Sequence, residues 1–168
     1  IVQRPLSPGG LSMAFRRHRE KPWTLPLFIS NGTISPFAAG LLWFAVEGAR
    51  TILISGTRGA GKTSLLTALM LMMMKRYRII TVEDTLEIPS DSFTSLGYDM
   101  GTIHGENPYG VFDRVVNDLG VPRTSFKATD LIVSVNKIRT IDRLTEKRRV
   151  LGITEVRKDW VNDPKYEG

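Results

Sequence analysis

The chain has 168 residues, a formal net charge of +6, 42% hydrophobic and 24% charged residues, and no cysteine. That size and balance suit one globular domain, or one domain with part of another, built on a sizeable core. The lack of cysteine excludes disulfides, thiolate metal sites and thiol nucleophiles and fits a cytoplasmic protein, while the positive charge suits nucleic acid, an acidic membrane surface or acidic partner subunits without choosing among them.

No apolar stretch reaches the length of a membrane span, and no secretory pattern opens the chain. Ile1 stands where an initiator methionine would, so the sequence is expected to begin inside a longer protein. Residues 1–32 differ in character from the rest of the chain. Pro5, Pro8, Pro22, Pro26 and the Gly9-Gly10 pair interrupt any long helix. Arg16-Arg17-His18-Arg19 is a compact basic cluster. It reads either as a solvated turn or as a segment that lays arginines over a bound triphosphate, a task suited to their fixed charge and forked donors. In the second reading Trp23 and Leu25–Ile29 anchor the segment by burial. Asn31-Gly32 signals a turn. Ser35-Pro36 reads as an N-cap with proline at the first helical position, and Phe37 to Glu47 as a mostly apolar, well-buried helix ended by Gly48.

Thr51 to Ser55 is a short apolar, β-branched run, which predicts a buried strand. Directly after it, Gly56-Thr57-Arg58-Gly59-Ala60-Gly61-Lys62-Thr63 fits the phosphate-loop pattern G-x-x-x-x-G-K-[ST]. Ser64 to Leu71 then carries good helix formers and neither glycine nor proline. Strand, glycine loop and helix are what a triphosphate site requires. Glycines let backbone amides point inward, and the helix start adds unpaired amides and a positive dipole end. Residues 56–64 are therefore the candidate nucleotide-binding stretch. Lys62 would reach the β- and γ-phosphates, and the Thr63 hydroxyl would sit on Mg2+.

The helix is expected to run to about Lys75, with Met70, Met72, Met73 and Met74 as flexible core filler. Arg78 to Val82 is a predicted second strand ending in Glu83-Asp84. Acidic residues at the carboxyl end of a parallel strand lie along the ligand crevice. Glu83 could position water or metal there and Asp84 a metal-bound water, with Glu87 able to share either role; the alternative is a pair that caps a helix or fixes a loop. Residues 91–99 are polar and turn-rich. His104 sits between glycines at an expected strand-to-helix junction, a place for a phosphate-sensing or catalytic group. Pro108 opens a helix to about Asn117 with Val111, Phe112, Val115 and Val116 on its apolar side. Ser125 to Asp130 is a connection, Leu131 to Val135 a buried strand, Asn136 to Lys147 a polar hairpin region, and Arg149 to Val156 a further strand before a charged tail.

With these residues laid out, the chain resembles the type II/type IV secretion ATPase superfamily, most closely its archaeal members. The phosphate loop Gly56 to Thr63, the aspartate box Ile80 to Thr85, the histidine box Gly101 to Asn107 and the tail Ile153 to Lys158 carry the match. Phe15 to His18 and Lys21 to Leu25 look like the family's link between N-terminal and motor domains. The resemblance implies an α/β fold: a RecA-like P-loop NTPase domain over residues 33–168 with a mostly parallel sheet, preceded by the end of a separate N-terminal domain. It implies hydrolysis of Mg2+-bound ATP to ADP, a homo-hexamer at the inner face of the membrane, a membrane platform protein as partner, and no stable nucleic acid. The exported substrate would be pilin, flagellar or secreted protein. Lys62, Glu83, Asp84 and His104 would carry the chemistry, Thr63 and Glu83 the metal, and Arg16, Arg17 or Arg19 would close over the phosphates.

One departure stands out. The family carries a Walker B strand ending in Gly-Glu before the histidine box, and none is legible here. Met100 runs straight into Gly101, and the expectation is that a segment belongs between them. A genuine deletion would leave a module that binds nucleotide with little or no turnover. A nucleic-acid translocating ATPase of similar fold is the other class compatible with the charge.

Overall fold

The computed structural model describes residues 8–11, 13, 21–73, 100–140 and 145–164. Its centre is strand β1 (Ile52–Ser55), which pairs in parallel with β2 (Met100–Ile103) on one side and with β3 (Leu131–Arg139) on the other. Strand β4 (Glu146–Glu155) adds antiparallel to β3, giving the order β2-β1-β3-β4. A strand enclosed on both edges and both faces is mostly apolar, and Ile52, Leu53 and Ile54 meet that demand. Successive side chains of β1 point to opposite faces. Ile52 and Ile54 enter one core with Val133 and Val135, while Leu53 packs against a second core that contains Ile132.

The first core holds helices α1 (Leu25–Ser30), α2 (Pro36–Glu47) and α3 (Lys62–Met70) against the sheet. Leu25 and Phe28 of α1 are buried there and Trp23 packs beside them, its ring centroid 5.3 Å from that of Phe28. The amide of Val150 in β4 donates to the Thr33 carbonyl at 2.8 Å, so the chain between α1 and α2 is stitched to the sheet edge. Ser35 caps α2 by accepting from the Ala38 amide at 3.2 Å, with Pro36 opening the helix. Burial of α2 is narrower than its composition suggests. Ala39, Leu42, Ala45 and Val46 face the core, while Phe37 and Phe44 are 84% and 76% exposed. Gly48 caps the end of the helix, as read from the sequence; it does so with an ordinary φ, and Ala49 after it takes the left-handed conformation with φ 54°.

Helix α3 ends at Met70, with Met72 and Met73 packed against the same core, consistent with their role as filler. The second core, on the other face of the sheet, gathers α4 (Pro108–Asp113), α5 (Arg123–Phe126) and the chain after β4. Asn107 caps α4 by accepting from the Gly110 amide at 2.8 Å, and the predicted helix continues past Asp113 as a π-helical turn over Arg114–Asp118. The connection expected at residues 125–130 thus begins inside a short helix. The tail after β4 is more than a charged surface run. Trp160 is fully buried, meets Phe112 edge to face at 5.4 Å, and donates its indole N–H to the Arg157 carbonyl at 2.7 Å.

Met100 and Gly101 are consecutive rungs of β2, opposite Ile52 and Leu53. The strand next to β1 on this side is therefore the one that leads into His104. The predicted strand Arg78 to Val82, with Glu83, Asp84 and Glu87, and the basic cluster Arg16, Arg17 and Arg19 lie outside the described residues.

Asp130 closes the amino end of the sheet. Its carboxylate accepts the Thr51 amide at 2.9 Å and lies 3.4 Å from the Lys158 ammonium. The Thr51 hydrogen bond, with help from Lys158, holds the Asp130 carboxyl below its ordinary value. A lowered carboxyl contributes stability above its unfolded pKa and loses it as pH falls through the folded one. Asp130→Ala is therefore expected to lower stability by about 1–2 kcal/mol at neutral pH. The gap to the parent protein should narrow as chemical denaturation is repeated below about pH 4. Ala49→Gly should raise stability by about 0.5–1 kcal/mol, since only glycine takes that φ without steric cost; thermal melts measure it.

Candidate functional site

Two parallel strands, β1 and β2, end together, and β3 runs on beside them. Ser55 of β1 lies opposite Ile103 of β2 and Ser134 of β3. The next residues along each strand are Gly56, His104 and Val135, so register alone brings the glycine loop and the histidine side by side at the carboxyl ends of the strands. Open parallel sheets bind their ligands there. Below the loop, the buried Ser55 and Ser134 hydroxyls hydrogen-bond to each other at 3.1 Å, so each satisfies the other away from water.

The loop leaves β1 in a conformation closed to side chains. Gly56 has φ 153°, and a Cβ there would come within 1.8 Å of the Val135 carbonyl oxygen. Gly61, at the start of α3, has φ 98°, and Gly59 between them φ 73°. Alternation of left- and right-handed backbone turns successive amides toward one side, the concave arrangement that suits an anion. Ala60 is buried under the loop, whereas Thr57, Arg58 and Gly59 are exposed. Lys62 is the first residue of α3. Its ammonium donates to the carbonyls of Gly56 at 2.9 Å and Thr57 at 3.0 Å, and stands 3.5 Å from Nδ1 of His104. Thr63 and Ser64 follow on the first turn, half-buried, and the Thr63 carbonyl accepts the Thr67 hydroxyl at 2.8 Å.

The polar hairpin expected at residues 136–147 is present, and its two arms extend the sheet. β3 runs past the end of β1 and, with β4, overhangs the loop. Three of its side chains reach it. Asn136 accepts the Thr57 amide on Oδ1 at 2.9 Å, and Arg148 donates from Nε to the Gly59 carbonyl at 3.0 Å. The Lys137 ammonium, opposite Arg148 in the ladder, lies within 3.5 Å of where a Gly59 Cβ would be and is 3.4 Å from the Glu146 carboxylate. Reading the sequence did not single out these residues, because their part depends on a strand longer than its apolar core. The polar, charge-rich run from Lys137 to Arg149 is the trace of it in the sequence.

Lys62, His104 and the loop residues 56–64 are thus brought together, while Glu83, Asp84, Arg16, Arg17 and Arg19 lie outside the described residues. Among the described residues no group of three or more His, Asp or Glu forms a metal cluster, and no helix is long and apolar enough to cross a membrane.

Comparison with known proteins decides the lineage. The profile of the family described as Type II/IV secretion system protein matches residues 4–97, more than half of the chain. This chain belongs to the type II/type IV secretion ATPase family. An uncharacterized protein of Methanocaldococcus jannaschii is 39% identical over 89 residues, which are 49% of this chain and 12% of that protein. The type IV secretion system protein PtlH of Bordetella pertussis is 28% identical over 115 residues, 56% of this chain and 34% of that one. The VirB11 ATPase of the Brucella suis type IV secretion system, solved in complex with sulphate, shares the fold with a TM-score of 0.57 at 18% identity. That likeness covers 85% of this chain and 61% of the other. The secretion-family chain described here therefore spans from about an eighth to a third of these two curated relatives.

The glycine of closest approach gives a direct check on this loop. Gly56→Ala should force β1 and β3 apart and cost about 1–3 kcal/mol, as overpacking does. A melting temperature equal to that of the parent would mean that the loop does not leave β1 in this way.

Proposed function

We propose that this chain is the nucleotide-hydrolysing part of a secretion or filament-assembly motor, and that residues 33–168 form a RecA-like P-loop domain onto which the preceding linker docks. The observation that carries the reading is the Lys62 ammonium, held by the Gly56 and Thr57 carbonyls at the start of α3 and 3.5 Å from His104. A strong cation, a helix start and a histidine converge on a concave, glycine-lined loop, which is the chemistry a polyphosphate needs.

The loop fits a triphosphate. Gly59 and Gly61 supply the left-handed turns that aim amides inward, and Lys62 supplies charge. Thr63 would offer its hydroxyl to Mg2+, which usually takes only one or two protein ligands and completes its shell from phosphate and water. Bound there, Mg2+ would neutralise phosphate charge; Glu83 and Asp84 remain the proposed acidic partners. Lys62 would hold the β- and γ-phosphates in place. His104, at the end of the neighbouring strand, would contact the γ-phosphate and so distinguish ATP from ADP. Arg16, Arg17 or Arg19 would close over the phosphates from the linker. Family membership supports a homo-hexamer at the inner face of the membrane, acting with a membrane platform protein to export protein or assemble a pilus or archaeal flagellum. Stable nucleic-acid binding is not expected.

The test compares the parent protein with Lys62→Ala in ADP titration and in phosphate release from ATP. Loss of the lysine should weaken binding by roughly tenfold to a hundredfold and turnover by about a hundredfold or more. Equal binding and turnover in the two proteins would falsify the assignment. Binding by the parent without turnover would identify a nucleotide-dependent assembly module. Turnover stimulated by DNA, with salt-sensitive DNA binding, would point instead to a nucleic-acid motor.

A further inference from the structure

We infer that Asn136 is a positioning residue that sets the glycine loop and the histidine loop relative to each other, and so controls how the site tells a nucleoside triphosphate from a diphosphate. The inference rests on the nucleotide reading above. Its basis is a pair of hydrogen bonds from one half-buried carboxamide. Oδ1 accepts the Thr57 amide at 2.9 Å, and Nδ2 donates to the Glu106 carbonyl at 3.3 Å. The two partners fix the orientation, since an amide can only donate and a carbonyl can only accept. An ionised carboxylate lacks the donor, an aliphatic side chain lacks both groups, and a single hydroxyl is too short to span two loops.

Each bond ends next to a group proposed to touch phosphate. The Thr57 carbonyl is one of the two that hold Lys62, so fixing the Thr57 residue fixes the lysine. Glu106 follows His104 by two residues, so fixing its carbonyl restrains the path of the histidine. Asn136 therefore acts on both sides of the 3.5 Å gap between Lys62 and His104 while bonding to neither side chain. Its place is secured by the overhang of β3, where it pairs with Arg149 one residue beyond Val135, the residue whose carbonyl crowds Gly56.

The experiment is a double-mutant cycle on the full chain. Isothermal titration with a non-hydrolysable ATP analogue and with ADP, in Mg2+, is run on the parent, Asn136→Ala, His104→Ala and the double variant. Asn136→Ala should weaken both ligands by about fivefold through the loop bond, and should lower the triphosphate-to-diphosphate affinity ratio by about a further fivefold. In the His104→Ala background the ratio should not move when Asn136 is removed, because the residue acts through the histidine. If the alanine variant does not fold, Asn136→Ser is titrated in its place. An unchanged ratio with His104 present, or an equal change with and without it, overturns the inference while leaving the nucleotide site standing. A parent chain that binds neither ligand removes the nucleotide reading and this inference with it.

Discussion

Four residues, Ile52–Ser55, carry a parallel strand on each side, and the described polar machinery hangs from their carboxyl end. The constraint is one of space as much as hydrogen bonding. β1 and β3 come so close at Gly56 that the Val135 carbonyl oxygen occupies the volume of any Cβ. That approach sends the chain sharply out of the strand and into the loop. It also seats Ser55 against Ser134 and carries β3 onward above the loop. His104 stands near Lys62 because β2 and β1 end at the same rung.

A glycine-rich loop is conformationally costly to hold, since glycine gives up the most backbone freedom on ordering. Here the cost is offset from outside the loop. Asn136 fixes the Thr57 amide, Arg148 fixes the Gly59 carbonyl near the tip, and Lys62 ties the opening carbonyls of Gly56 and Thr57 to the helix that follows. The β3–β4 ribbon therefore serves as a brace and also places two cations, Lys137 and Arg148, directly opposite each other beside the loop. Like charges facing across a ladder are unfavourable by a few tenths of a kcal/mol or more. Glu146 relieves part of that repulsion through Lys137, and an anion in the loop would relieve more. This connects the local charge pattern to the polyphosphate chemistry proposed for the site.

The far end of the sheet is closed by different means. Asp130 satisfies the Thr51 amide before β1, and Lys158 neutralises it from the chain after β4. The Lys127 ammonium lies 4.7 Å from the Trp160 ring centroid, and it donates to the Trp160 carbonyl and, at 3.0 Å, to that of Lys158. The last described residues are thereby pinned to the second core. A segment that reads as a charged tail acts structurally because its tryptophan, Trp160, is buried beside Phe112 and Phe126.

Local pattern was enough to define the strand, loop and helix around Lys62, the capped start of α2, the methionine filler and the apolar run of β3. Each of these depends on period, propensity or backbone sterics within a dozen residues, and such information is written along the chain. The family too was legible there, because its motifs are short and ordered. Other features were decided only by packing across the sheet: the place of β2 directly beside β1, the extension of β3 past its apolar stretch, the half-exposed face of α2, the buried Trp160 and the bracing role of Asn136. The residues of β2 carry little hydrophobic signal of their own and become a strand through pairing with β1. Asn136 is an ordinary polar residue in sequence, and gains its position because a bulged ladder brings residues 57, 106 and 136 to one point. Such convergence depends on register between distant segments, a relation that no single stretch of sequence contains.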